Sequence, residues 1–166
     1  MTLPDTYTEI NETGCCAVPN VGEWDRQEVE FVDRRFLRMH TRNLMFVPLN
    51  MSKVMTALNQ SAEHAGVMMP PTQALILSRD LSPWRAEQLF EVTAEVPAAD
   101  NVVLNATFLT RVFEGPYKEA KAWFQEMQNY AAEQGREASR IYFWYTTCPK
   151  CAKHYGHNYV VGFAQV

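Results

Sequence analysis

The hydrophobic pattern of this chain changes period several times, and each change marks an element. Phe108, Thr110 and Val112 alternate with Leu109, Arg111 and Phe113, the two-residue period of a strand. Glu114, Gly115 and Pro116 interrupt it, and proline's fixed backbone angle suits a first helical position. Ala120, Trp123, Phe124, Met127, Tyr130 and Ala131 then recur at steps of three and four, one face of a helix, and Gly135 follows as its stop. An earlier stretch has the same order. Leu44–Leu49 reads as a strand with Pro48 near its end, and Asn50 as a helix cap. Met51, Val54, Met55, Leu58, Ala62 and Ala65 form the helical face, closed by Gly66.

Short strands follow each glycine: Ala74–Leu77 and Glu87–Val96 after the first, Ile141–Thr146 and Tyr159–Val166 after the second. An Asp80–Pro83 turn separates the first pair, and a thiol-bearing loop beginning at Cys148-Pro149 the second. Glu87–Val96 sets Leu89, Glu91, Thr93 and Glu95 against Phe90, Val92, Ala94 and Val96, so one face is apolar and the other carries acids. The matched order predicts an α+β fold built as a tandem strand–helix–strand–strand repeat over residues 42–166. Its strands are expected to form an antiparallel sheet with both helices on one side. Residues 1–41 read as an N-terminal arm, polar, turn-rich and irregular as far as Trp24, which is expected to pin it. Within it Val29–Thr41 is a strand pair turning at Asp33 and Arg34, or a helix.

Composition narrows the class. With 166 residues and 47% apolar content the chain can bury one substantial core, as one compact domain overall. Fifteen basic against 19 acidic side chains leave no dominant basic stripe, which argues against nucleic acid as a partner. The N-terminal residues lack a basic segment followed by an apolar one, and no apolar run approaches membrane-spanning length. A cytoplasmic protein is expected, with no membrane partner, and its four cysteines are then thiols or metal ligands rather than disulfides.

Three groups of side chains are candidates for chemistry. The aromatic residues Phe46, Trp84, Phe113, Tyr117, Trp123, Trp144 and Tyr145 either fill the core or sandwich a planar or cationic ligand. Glu91, mid-strand among apolar neighbours, is a counter-ion or base if its face turns inward, and a solvated residue if it does not. Glu114 stands at the helix entry, where the helix dipole favours an acid. Cys148-Pro-Lys-Cys151 has the spacing of a zinc-binding or redox pair, with His154 and His157 close by and Cys15-Cys16 far away in sequence. Zinc, a redox pair and plain structural thiols all stay open. Because the Asp80–Pro83 turn has no thiol, the cysteines of the arm are expected to approach the 148–151 loop. Gly22-Glu-Trp-Asp25 suggests no mechanism.

The segments FEGPYK, the helix with Trp123, Gly135, and the strand IYFWYTTCP with Tyr142, Tyr145 and Pro149 resemble the GyrI-like small-molecule-binding superfamily. FVPLNMSKVMT, LSPW and YTTCPKCAKHYG are further similar to a bacterial group labelled predicted hydrolases within reach of it. The resemblance implies two halves around a central ligand cleft, a hydrophobic or cationic small molecule as partner, and in some members hydrolysis of small electrophilic compounds. Many members carry an acid about where this chain has Phe143. The expected function is therefore small-molecule binding, with hydrolysis an open question and no cofactor required. Glu91 and Tyr145 are the catalytic candidates. The alternative is a zinc-stabilised interaction module held by Cys15, Cys16, Cys148 and Cys151.

Overall fold

The computed structural model describes residues 3–166, where the alternating stretches become strands and the three-four stretches become helices. In chain order these are β1 (Gln27–Leu44), β2 (Val47–Pro48), α1 (Met51–His64), β3 (Ile76–Ser82) and β4 (Arg85–Val92). There follow β5 (Asn101–Glu114), α2 (Ala120–Glu133), β6 (Arg140–Tyr145), α3 (Pro149–Tyr155) and β7 (Tyr159–Gln165). The protein is thus mixed α/β with antiparallel strand pairs. No helix among the described residues is long and apolar enough to cross a membrane. The residues up to Phe31, with 71–73 and 106–166, form one compact unit, and residues 32–70 and 74–105 a second.

In the first unit β7 lies between β5 and β6, with Leu109 and Ile141 opposite Ala164, and Phe113 and Tyr145 opposite Val160. These residues share a face with Phe143, and α2 packs on it through Trp123, Met127, Tyr130 and Ala131. At Gly162 a β-carbon would stand 2.6 Å from Met127 Sδ, so only glycine lets the helix lie this low there. The other face carries Phe108, Tyr142, Trp144 and Phe163, and the arm covers it. Trp24 lies 5.8 Å from Trp144 and 5.4 Å from Phe163 between ring centroids, Tyr7 5.5 Å from Trp144, and Phe31 4.6 Å from Phe108. Burying a tryptophan removes about 200 Å² from water, worth roughly 5 kcal/mol before entropy is counted. The arm thus contributes Trp24 and Phe31 to this unit's core.

In the second unit β1 pairs with β4 and β4 with β3. Val54, Leu58 and Ala62 of α1 pack on Leu37 and Val92, with Met39 and Phe90 at the margin. β1 turns into β2 through Met45 and Phe46, both at positive φ (48° and 70°), the backbone of a tight hairpin matched to strand twist.

Several expectations are corrected. Val29–Thr41 is neither a strand pair nor a helix but part of the 18-residue β1. Asp33 alone departs from the extended backbone (φ 50°), its N–H bonded to Asn105 Oδ1 at 2.7 Å, so the supposed turn is one kinked residue. The strand expected over Leu44–Leu49 is the hairpin. Asn50 makes no side-chain cap on α1, because its Oδ1 accepts the Arg42 N–H at 2.8 Å and holds that hairpin instead. The supposed turn from Asp80 lies inside β3 as far as Ser82. A 3-10 turn, Tyr117–Glu119, precedes α2. The Cys148-Pro149 loop is a helix: Pro149 opens α3, where a missing N–H costs nothing, and Gly156 (φ 75°) ends it.

Candidate functional site

The alternation of β4 sends Phe90 and Val92 toward α1 and leaves Glu87, Leu89 and Glu91 on the other face. Cross-strand register adds Phe36 and Arg38 from β1, and Leu77 and Arg79 from β3, to that face. The acids are turned inward: Glu87 and Glu91 are each only 3% exposed. Glu87 is held by Arg79 at 2.8 Å and Arg38 at 3.7 Å. Glu91 differs. Its Oε1 is 2.5 Å from Arg34, while its buried Oε2 has no hydrogen-bond partner among the described residues. Burial pushes its carboxyl from 4.5 up to about 7, against the opposing pull of Arg34. Glu91 can therefore take up a proton near neutrality, or present a free oxygen to a cation.

A groove of about 520 Å³ lies elsewhere in this unit, between α1 and residues 96–100. Its Arg38 and Asp100 are bonded to each other at 2.9 Å, so it offers less chemistry than the acid face.

The aromatic candidates separate into distinct settings. Phe46 and Trp84 of the second unit are more than half exposed, at neighbouring turns joined by the Phe46 N–H to Pro83 O bond of 2.8 Å. In the first unit Phe113 and Trp123 stack at 5.6 Å within the core under α2, where Phe143 also lies. Tyr117 meets Tyr145 edge-on at 5.7 Å and donates its hydroxyl to Thr147 O. Trp144, 1% exposed, is on the opposite face. Its Nε1–H donates to Tyr7 Oη at 3.0 Å, and Tyr7 donates to Thr146 O at 2.8 Å. Burial raises the Tyr7 phenol, which keeps that donor in place. Glu114 is exposed and bonded to His157 Nδ1 at 2.7 Å. Sequence reading singled out Trp24 as the pin of the arm but missed the roles of Tyr7, Arg34 and Glu87. Trp24 donates to Asp5 O, and Asp25 accepts the Val112 N–H, so Gly22–Asp25 anchors the arm.

The thiols converge. Cys148 caps α3 and Cys151 lies one turn on, fully buried. In the arm, Thr13 Oγ1 accepts the N–H groups of Cys15 (3.2 Å) and Cys16 (3.3 Å), and Gly14, next after Thr13, is at positive φ. Tyr155 of α3 clamps this loop, donating to Cys16 O at 2.7 Å and accepting the Glu12 N–H at 3.2 Å. All four sulfurs lie within 4.8 Å of one another, none is in a disulfide, and together they could hold a metal ion. The expected approach of the arm's cysteines to residues 148–151 is present. His154 and His157 stay outside, directed to Glu12 and Glu114.

Residues 6–166, from the arm to the last strand, match the bacterial hydrolase family. The chain belongs to that family. The match takes in the arm as well as the strand–helix region, so Tyr7, the four thiols and Glu91 all fall within the family's bounds. No curated protein matches the chain in sequence. Among solved structures, that of SAV2435 bound to tetraphenylphosphonium is similar, with a TM-score of 0.51 at 10% identity. The likeness covers 85% of this chain and 92% of that one, and it shows a shared fold.

Proposed function

We propose that this bacterial hydrolase family member binds a small hydrophobic, cationic compound on the helix-free face of β4, with Glu91 as its working acid. The observation that carries this reading is the buried Oε2 of Glu91, without a hydrogen-bond partner among the described residues, on a face shared with Phe36, Leu77 and Leu89. A carboxylate oxygen without a partner in apolar surroundings is costly, and a delocalised cation would satisfy it while burying its own apolar surface. Tetraphenylphosphonium, found in the structurally similar protein, has that chemistry. Phe36, Leu77 and Leu89 are closed off here, so entry requires this face to open. The element orders β1–α1–β3–β4 and β5–α2–β6–β7 support a tandem GyrI-like repeat, each half leaving one sheet face without a helix.

Hydrolysis is the reaction this acid suits. A carboxylate with pKa near 7 can take a proton from water as the oxygen attacks an electrophilic carbon, and return it to the leaving oxygen as that carbon–oxygen bond breaks. In the zinc-stabilised alternative, favoured by the convergence of the thiols, the metal would hold the arm and leave the acid face unchanged.

Calorimetric titration with tetraphenylphosphonium tests the reading. Wild-type protein should bind, and Glu91→Gln should bind at least about tenfold more weakly, about 1.4 kcal/mol, with an unchanged near-ultraviolet circular dichroism spectrum. Equal affinities would remove Glu91 from the ligand site. Against a panel of activated esters and epoxides, turnover should rise with pH through about 7 and be lost in the same variant.

A further inference from the structure

We infer that Cys15, Cys16, Cys148 and Cys151 bind one structural zinc ion that staples the arm to α3. Four sulfurs from two distant segments meet within 4.8 Å, although nothing in the strand–helix order requires a thiol at either place. Zinc bound by four thiolates at about 2.3 Å sets neighbouring sulfurs about 3.8 Å apart along the edges of a tetrahedron. The Cys15 and Cys16 sulfurs are 3.7 Å apart, close to that edge and far from a disulfide bond of about 2.05 Å.

Adjacent cysteines rarely face one point, and the Thr13 turn is what makes it happen here. Its hydroxyl gathers the N–H groups of both cysteines, so the backbone curls and both sulfurs emerge on one side. Cys148 and Cys151 come from a single turn of α3, the usual spacing of a thiolate pair on zinc. The Thr13 hydroxyl is also 3.2 Å from Cys151 Sγ, placed to donate to a thiolate and steady it in the outer shell. The donor set is entirely soft, which selects zinc over magnesium, calcium or manganese. Binding converts four thiols and one Zn²⁺ into a zinc tetrathiolate, releasing up to four protons.

The site has a clear task. Residues 3–26 contain no helix or extended strand, only the isolated bridge Tyr7↔Pro19, and an irregular segment loses much entropy on ordering. A metal joining its loop to α3 closes a circuit of more than a hundred residues and restricts the unfolded chain. It thereby keeps Tyr7 and Trp24 seated over Trp144.

The test is metal content of the full-length chain, purified under reducing conditions without chelator. One zinc per chain is expected. Exchange with cobalt should give the visible absorption of a tetrahedral tetrathiolate. Cys15 is exposed, so Cys15→Ser should leave a folded protein whose cobalt spectrum shifts to three sulfurs and one oxygen, with zinc affinity reduced at least tenfold. Stripping zinc from the wild type with a strong chelator should move tryptophan emission to longer wavelength as Trp24 and Trp144 meet water. A folded wild-type chain that retains no zinc and gives no cobalt thiolate spectrum overturns the inference. So does a Cys15→Ser spectrum identical to that of the wild type. Tetraphenylphosphonium titration reads the acid face separately, so either proposal can fail without the other.

Discussion

Glu91 holds its proton more tightly in the fold than in the unfolded chain, with a pKa of about 7 against 4.5. Between those values the native state binds more protons than the unfolded state, so this group's contribution is complete below about pH 4.5 and is lost as pH rises through 7. The loss amounts to roughly 3 kcal/mol at most. Urea unfolding from pH 4.5 to 8 should therefore show a decline in wild type that is much shallower in Glu91→Gln, and parallel profiles would dismiss the raised pKa. Tyr7→Phe is a second test at this scale. It removes the hydroxyl between Trp144 Nε1–H and Thr146 O, and leaving both buried groups unpaired should cost about 1–3 kcal/mol in the same measurement. Sequence could mark Glu91 as odd within its strand, since alternation names its face. It could not say which face is buried, because that depends on arginines brought alongside by cross-strand register.

Elements were more legible than residues. Both long helices and most strands appear where period and punctuation put them, since burial of one face repeats along the chain and leaves a periodic trace. The failures share a cause: a local rule overridden by a distant partner. Asn50 looks like a cap until the β1–β2 hairpin claims its side chain, and Asp33 looks like a turn until Asn105 fixes it within a strand. The seating of α2 was not legible either, because the demand on Gly162 comes from Met127, on another element. Gly162→Ala should lose about 1–3 kcal/mol by overpacking, as Met127 is fully buried and cannot swing aside. Met127→Ala in the same chain should recover part of that loss, a non-additivity visible in thermal melts. Strict additivity would show that α2 does not rest on this contact.

At the scale of the molecule, the arm is the part sequence described least well. Polar, turn-rich composition suggested an irregular arm pinned by Trp24 without naming its partners, whereas Trp24 is wholly buried and Tyr7 part-buried, each through contacts with residues more than a hundred positions away. No window of the sequence contains both sides of such a contact. Removing residues 1–24 should uncover Trp144 and Phe163, abolish cooperative unfolding of the first unit and produce a chain that aggregates on purification. A truncated chain with wild-type melting behaviour would show the arm to be dispensable. The distance between the arm and its partners also has a consequence for how the protein is made. Tyr7 leaves the ribosome well before its acceptor Thr146, which lies 139 residues later. At roughly 5–20 residues per second, the nascent arm waits on the order of ten seconds with its aromatic side chains uncovered. The second unit is complete in sequence by residue 105 and can close during that interval, while the first must await the C-terminal strands. The arm thus has nothing to fold against until residues 140–165 have been made, and a chain stalled before them leaves Tyr7 and Trp24 without Trp144 and Thr146.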